Sequence, residues 1–211
     1  MFSNRLAPWL MAAALSMGAP AALAQAVKPP EVLIKEVSSD VLDTVKADTS
    51  IRSGDINKII ALVDAKVMPH IDFQRMTASA VGRHWRQATP EQQKRLQDEF
   101  KTLLVRTYSG ALSQVGKEQT VQLRPMRSGA EDKEVVVRTE IRGKGDPIQL
   151  DYRLERGANG WKIYDVNVLG VWLVENYRNS FTQEIGANGI DGLIARLAER
   201  NKAAAAPATK S

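Results

Sequence analysis

The chain of 211 residues contains no cysteine and only two histidines. Without cysteine there is no disulfide, no thiolate metal site and no cysteine nucleophile, so packing alone must stabilise the fold. The sequence also lacks a GxSxG elbow, an HExxH zinc motif and a glycine-rich dinucleotide-binding pattern. These absences leave an enzymatic function with little support.

No long block of one charge occurs either. The formal net charge is +5, and the basic and acidic residues are interspersed along the chain. Interspersed charge is typical of a solvated surface, whereas a protein that binds nucleic acid clusters its basic residues. The mild basic excess is compatible with anionic lipid or with an acidic partner.

The N-terminal segment has the pattern of a cleaved secretory signal. Arg5 provides a positive start, an apolar alanine-rich stretch follows, and Ala22-Leu23-Ala24 fits the small-x-small cleavage rule. The apolar stretch is too short, and too interrupted by Gly18 and Pro20, to span a bilayer. We therefore expect three parts in an exported protein: a signal at 1–24, a single domain at 25–201 and a disordered tail at 202–211.

Helical periodicity dominates the first half of the chain. Pro29-Pro30 opens a predicted helix to about Lys46, and a second apolar stripe follows Gly54. Thr89-Pro90 begins the clearest helix, because Thr89 and Gln92 form a capping box. The stripe of the first predicted helix consists of Ile34, Val37, Val41 and Val45.

Alternating periodicity begins at Gln119 and predicts four short antiparallel strands, the last from Trp161 to about Val171. Turns are predicted at Ser128-Gly129 and at Asn159-Gly160. Two helices, separated at Asn188-Gly189, complete the chain. Helices first and strands later indicate the α+β class. The alternation places these residues of the fourth strand on one face: Tyr164, Val166 and Val168.

Both histidines lie in one stretch, MPHIDFQRMTASAVGRHW. His70 and Asp72 could supply part of a metal site. If the fold brought His84 close to them, the three side chains would be ligands of the kind that bind zinc. In the alternative interpretation, His70 caps or hydrogen-bonds the backbone of a turn, and His84 packs beside Trp85 or lies at the surface. We favour the alternative, because nothing else completes a catalytic or metal-binding set. We therefore assign no catalytic residue, no metal ligand and no cofactor.

The end of the fourth strand carries more apolar residues than one sheet face needs. Ile163 and Leu169 fall on the face opposite Val166, and an apolar run from Val171 to Val174 follows at once. This excess fits a wall that borders a cavity.

Three groups of residues carry a resemblance to a known family. They are Gly82–Trp85 (GRHW), Thr89–Gln92 (TPEQ), and Gly170-Val171 leading to Asn176–Arg178 (NYR). Together with their surroundings, they resemble the MlaC family of toluene-tolerance-type periplasmic phospholipid-binding proteins across nearly the whole mature chain. One departure is Trp172, where family members commonly have a small serine.

The resemblance implies a curved, cone-shaped antiparallel sheet of the nuclear-transport-factor-like kind, with helices over one face and a lipid cavity between them. It implies a soluble periplasmic carrier that shuttles phospholipid between the outer and inner membranes. The implied partners are an inner-membrane ABC transporter complex with a substrate-binding ring and an outer-membrane lipoprotein complex. We expect the cavity lining to include Met76, Leu104, Tyr108, Val137, Leu150, Tyr152, Tyr164, Val166, Val168, Val171, Trp172 and Tyr177.

Two other functions remain open from the sequence. An isomerase or hydrolase of a small apolar substrate on the same fold would use Asp151 or Asp165 as a base, and it requires a carboxylate on the cavity face. A ligand-free adaptor would use the same apolar residues as ordinary core.

Overall fold

The computed structural model describes residues 28–126 and 132–204. The expected signal segment, the predicted turn at Ser128-Gly129 and most of the expected tail lie outside these ranges. The α-helices are α1 (Pro30–Ala47), α2 (Thr49–Arg52), α3 (Ile56–Leu62), α4 (Phe73–Val81), α5 (Pro90–Leu112) and α6 (Leu173–Ala203). The strands are β1 (Thr120–Leu123), β2 (Glu134–Arg142), β3 (Ile148–Gly157), β4 (Gly160–Val168) and β5 (Val171–Trp172).

Short helical turns connect α3 to α5. A π-helical turn, Val63–Val67, continues α3, and 3-10 turns occupy Met68–His70 and Gly82–Gln87. These turns redirect the chain so that α4 packs against both α5 and α6.

The helix starts follow from capping chemistry. Pro30 occupies the first helical position of α1, and Thr89 and Gln92 form the predicted capping box at α5. The backbone of α6 leaves helical geometry at Gly189, where φ is 71°, a value that glycine adopts without steric cost. The two predicted C-terminal helices therefore meet at this residue.

The strands form one antiparallel sheet in chain order, which confirms the predicted meander. A fifth strand is present because β4 ends at Val168, before its predicted end. Leu169 and Gly170 both adopt positive φ, 52° and 91°, and this reverses the chain into β5. β5 leads directly into α6, so the turn fixes where that helix begins.

A β-bulge interrupts the alternation of β4. Arg153 pairs with Asp165, and the next pair is Leu154 with Ile163, which leaves Tyr164 as the extra residue. The bulge shifts the side-chain phase, so the prediction that Tyr164 shares a face with Val166 and Val168 is wrong.

Apolar residues of the described ranges form three clusters: the helical core, the sheet core and a third cluster that joins α1, α2, α3 and α5. The helical core joins α4, α5 and α6 through fully buried residues that include Met76, Val81, Leu96, Phe100, Tyr177 and Phe181. The sheet core joins α1 to the sheet through Ile34, Val135, Val137, Leu154, Trp161 and Ile163. Val166 and Ile71 pack against both cores and connect them.

The free edge of β4 is covered by the chain that enters α4. Ile71 forms a parallel bridge with Ile163, and the Asp72 amide donates to the Ile163 carbonyl at 2.8 Å. The Lys162 ammonium also donates to the Pro69 carbonyl at 2.6 Å. Backbone groups that an edge strand leaves open are therefore paired within the chain.

Candidate functional site

An apolar cavity of about 200 Å³ lies between α1 and the sheet. Aliphatic side chains supply nearly all of its wall, and no charged residue lines it. Its lining consists of Ile34, Val37, Ser38, Val41, Leu42, Val45, Val67, Ile71, Leu112, Val115, Ile141, Leu150, Tyr152, Ile163 and Val166.

The α1 wall follows from helical spacing. Residues three and four positions apart share one face of a helix, and the α1 lining residues from Ile34 to Val45 have this spacing. The opposite wall follows from strand register, because Tyr152 pairs with Val166 and so lies on the same face of the sheet. Branched aliphatic residues face each other across the cavity, and space is left between them.

Two side chains bring hydroxyl groups into this lining. The Ser38 and Tyr152 oxygens lie 3.3 Å apart and share a hydrogen bond. Burial raises the pKa of Tyr152, while hydrogen bonds with Ser38 and Thr139 oppose that shift. The phenol therefore stays neutral in the cavity wall.

The structure places three of the twelve predicted lining residues on the cavity: Leu150, Tyr152 and Val166. Val137 is buried beside it in the sheet core. Val168 is half-buried and pairs with the lining residue Leu150.

The predicted residues from the helices belong to the helical core instead. Met76 and Tyr177 are buried there, and Leu104 packs against it. Tyr108 is half-buried, and its pKa is raised by burial and by the neighbouring Tyr177. These positions were predicted from a helical stripe that fills a dry core, and periodicity does not distinguish such a stripe from a cavity wall.

The remaining predicted residues lie away from the cavity. The bulge directs Tyr164 to a separate polar groove of about 450 Å³, where the Arg75 guanidinium stacks on its ring at 3.7 Å. Val171 is 46% exposed on the short β5 strand. The Arg153 guanidinium stacks on the Trp172 ring, with its carbon 3.8 Å from the ring centroid.

The polar groove is larger than the apolar cavity but differs in chemistry. Glu134, Arg138 and Arg153 line it, and each forms an ion pair with a neighbouring residue. A charged, internally paired surface offers little to an apolar ligand. The cavity beneath α1 is therefore the better candidate site.

The sequence reasoning missed the contribution of α1 to this site. The stripe from Ile34 to Val45 is visible in the sequence, but none of its residues is among the twelve predicted lining residues. The signal available in the sequence was the aliphatic composition of the α1 stripe and of the sheet face opposite it, which could have indicated a cavity between them.

Neither predicted base lines the cavity. Asp151 pairs with Arg138 at 3.8 Å. Asp165 is 1% exposed and accepts hydrogen bonds from the Val174 amide at 3.1 Å and from Arg153 at 3.0 Å. Burial raises the pKa of Asp165, and these hydrogen bonds oppose the shift. Because Trp172 provides no side-chain cap, Asp165 caps α6 from the neighbouring strand.

The histidines lie apart from each other in the fold. His70 ends a 3-10 turn, and burial together with Lys162 and Lys28 lowers its pKa. The His84 ring lies 3.4 Å from the side-chain oxygen of Gln87. Within residues 28–126 and 132–204, no group of three or more acidic or histidine side chains is placed to hold a metal ion.

No helix in the described ranges combines the length and the apolar character needed to cross a membrane.

Comparison with known proteins identifies relatives over most of the chain. The family model described as MlaC protein matches residues 35–199. A solved phospholipid-binding protein from Ralstonia solanacearum, in complex with a phospholipid, is 47% identical. The match covers 85% of this chain and 100% of that chain, with a TM-score of 0.81.

Two curated relatives are more distant in sequence. Toluene tolerance protein ttg2D from Pseudomonas putida is 25% identical over 190 residues, which cover 86% of this chain and 87% of the relative. The intermembrane phospholipid transport system binding protein MlaC from Haemophilus influenzae is 22% identical over 172 residues. That match covers 80% of each chain.

Proposed function

The chain belongs to the MlaC family, and from this premise we propose that it binds phospholipid acyl chains in the cavity between α1 and the sheet. The observation that carries the proposal is the cavity lining, which is aliphatic and free of charged side chains. The phospholipid complex of the 47% identical relative supports the same ligand class.

The energetics of lipid transfer explain why such a protein is needed. A lipid that leaves a bilayer exposes its chains to water at about 0.8 kcal/mol per methylene, or about 24 kcal/mol for roughly thirty methylenes. A carrier offsets most of this cost with nonspecific apolar contacts. Binding must still be weak enough for release, so a lining without charged groups suits the task.

The wider role follows from the family. We propose a periplasmic carrier that moves phospholipid between the outer and inner membranes, with residues 1–24 acting as a cleaved export signal. Its partners would be an inner-membrane ABC transporter complex and an outer-membrane lipoprotein complex. The headgroup would remain near solvent, and no cofactor would take part.

An enzymatic function is not proposed. That alternative requires a carboxylate on the cavity wall, and Asp151 and Asp165 both lie elsewhere with arginine partners. The relatives that are described as phospholipid-binding or phospholipid transport proteins also support a binding function rather than an enzymatic one.

Organic-solvent extraction of the purified protein, followed by mass spectrometry, tests the proposal. We expect co-purified phospholipid of mixed chain length, and uptake of labelled phospholipid from vesicles by delipidated protein. A folded protein that carries no lipid and takes up none would overturn the proposal.

A further inference from the structure

Ser38 and Tyr152 are the only polar side chains among the residues that line the cavity. Ser38 projects from α1, Tyr152 projects from β3, and their 3.3 Å contact joins the two walls. The neighbouring Thr139 hydroxyl donates to the Leu150 carbonyl at 3.0 Å, so its proton is already engaged. Thr139 also hydrogen-bonds Tyr152, so the Tyr152 hydroxyl has one partner on α1 and one on the sheet.

The cavity must widen to hold a lipid. Its volume of about 200 Å³ is below the roughly 300–1,000 Å³ of sites for drug-sized ligands. The sheet wall is held by continuous strand pairing, and the helical core is closed by packed aromatic rings. Neither constraint applies to α1, nor to the shorter part of the lining that Val67, Leu112 and Val115 provide.

Free space on a second side of α1 supports this assignment. A groove of about 360 Å³ runs between α1 and the turns at Val63–His70. The Asp40–Lys66 ion pair crosses that groove at 2.6 Å, with the Asp40 side chain 56% exposed and the Lys66 side chain 34% exposed. An exposed pair of this kind adds little resistance to movement.

Movement of α1 away from the sheet would separate Ser38 from Tyr152 and leave Thr139 as the remaining hydrogen-bond partner of the Tyr152 hydroxyl. Tyr152 is the polar side chain that the sheet presents to the cavity, so a bound ligand with an acceptor group would replace the lost hydrogen bond to Ser38. No cation lines the cavity to compensate an anion, and a phosphate would be desolvated at high cost there. The ester carbonyl, which joins acyl chain to glycerol, is a neutral acceptor.

We propose that the Tyr152 hydroxyl donates a hydrogen bond to an ester carbonyl of the bound phospholipid, in exchange for the Ser38 hydroxyl on α1. This inference rests on the proposed phospholipid-binding function and adds a chemical preference to it. The protein would distinguish ester-linked from ether-linked lipids of equal chain length, because an ether lacks the carbonyl.

A competition experiment tests the preference. Delipidated protein is mixed with equal amounts of diacyl and dialkyl phosphatidylglycerol of the same chain length, and bound lipid is quantified by mass spectrometry. A single neutral hydrogen bond predicts a two- to tenfold preference for the diacyl lipid, as an order-of-magnitude expectation. Equal binding by the parent protein would overturn the inference and leave the proposed function intact, whereas binding of neither lipid would overturn the proposed function.

Three variants locate the donor. Tyr152→Phe should bind both lipids equally, while Ser38→Ala and Thr139→Val should keep the diacyl preference. Circular dichroism and urea unfolding establish that each variant is folded. If Tyr152→Phe retains the preference, Tyr152 is not the donor. The parent competition remains decisive if Tyr152→Phe does not fold.

Discussion

The helical core and the cavity beneath α1 are both apolar, yet one is tightly packed and the other contains free space. In the helical core, the Phe100 ring packs edge-on against Tyr177 and Phe181, with centroids 5.1 and 5.2 Å apart. The cavity walls carry branched aliphatic residues, apart from Tyr152 and Ser38. Interlocking rings fill volume, whereas facing rows of valine, isoleucine and leucine leave a gap when the backbones are held apart.

From this difference we expect stability and ligand binding to depend on different parts of the molecule. Unfilled volume lowers stability, because the residues around it lose packing contacts. The helical core contributes packing that offsets this loss. Substitutions in the helical core should therefore lower the free energy of unfolding, whereas substitutions in the cavity wall should lower lipid uptake.

The largest expected effect is on stability, from Phe100→Ala. Phe100 is fully buried among three aromatic rings, so its truncation should lower the free energy of unfolding by about 3–5 kcal/mol. Urea denaturation measures this change. The matched cavity variant Val41→Ala should cost less than about 1 kcal/mol, because its side chain already borders free space. Equal losses at both positions would contradict the distinction.

The next effect is on lipid binding, from Leu150→Glu. A carboxylate in the cavity wall must be desolvated by bound acyl chains, which costs several kcal/mol or raises its pKa. The expected protein is folded and poor in lipid at neutral pH, with uptake partly restored at acidic pH as the carboxylate is neutralised. In the helical core, Leu96→Glu should unfold the protein. A folded Leu150→Glu variant that loads lipid normally at neutral pH would show that Leu150 does not contact the chains.

A smaller contrast comes from adding volume. Val41→Phe places a ring in existing space, so the unfolding free energy should change by less than about 1 kcal/mol while lipid loading falls. Val81→Phe in the fully packed helical core should cost about 1–3 kcal/mol. Thermal unfolding and vesicle uptake, measured on both variants, separate the two outcomes. Retained loading in Val41→Phe would place the acyl chains elsewhere.

The smallest expected effect is a pH dependence at His70, beside the groove along α1. The pKa of His70 is lowered in the folded state, mainly by burial, so the unfolded chain binds the proton more readily. Stability is therefore intact above the ordinary histidine pKa and is lost as pH falls through the lowered value. His70→Gln should reduce this slope in urea titrations between about pH 7 and pH 5. An unchanged slope would show that His70 does not contribute.

Much of the fold was predictable because its signals are local. Pro30 and the Thr89–Gln92 capping box identify helix starts, and the alternation of β2 and β3 identifies strands with one buried face. The β4 bulge was not predictable, because it depends on the register in which β3 and β4 pair. The sequence of one strand alone does not indicate that register. One extra residue at Tyr164 was enough to reverse a face assignment.

The site was less predictable than the fold. Ile34 and Leu96 both belong to apolar helical stripes, and nothing local shows that one faces a cavity and the other a packed core. The difference arises from the distance between α1 and the sheet, which is set by the tertiary structure. Helical periodicity thus identifies a buried face without identifying what covers it.

The covered edge of β4 bears on how the protein behaves at high concentration. An uncovered strand edge allows two copies to pair through their backbones, the first step of sheet-mediated aggregation. Here the main chain at Ile71 and Asp72 occupies part of the β4 edge. At the opposite side of the sheet, β1 has only four residues and is followed closely by Pro125. Both margins therefore disfavour self-assembly through strand pairing, which would allow the protein to remain dispersed at high concentration.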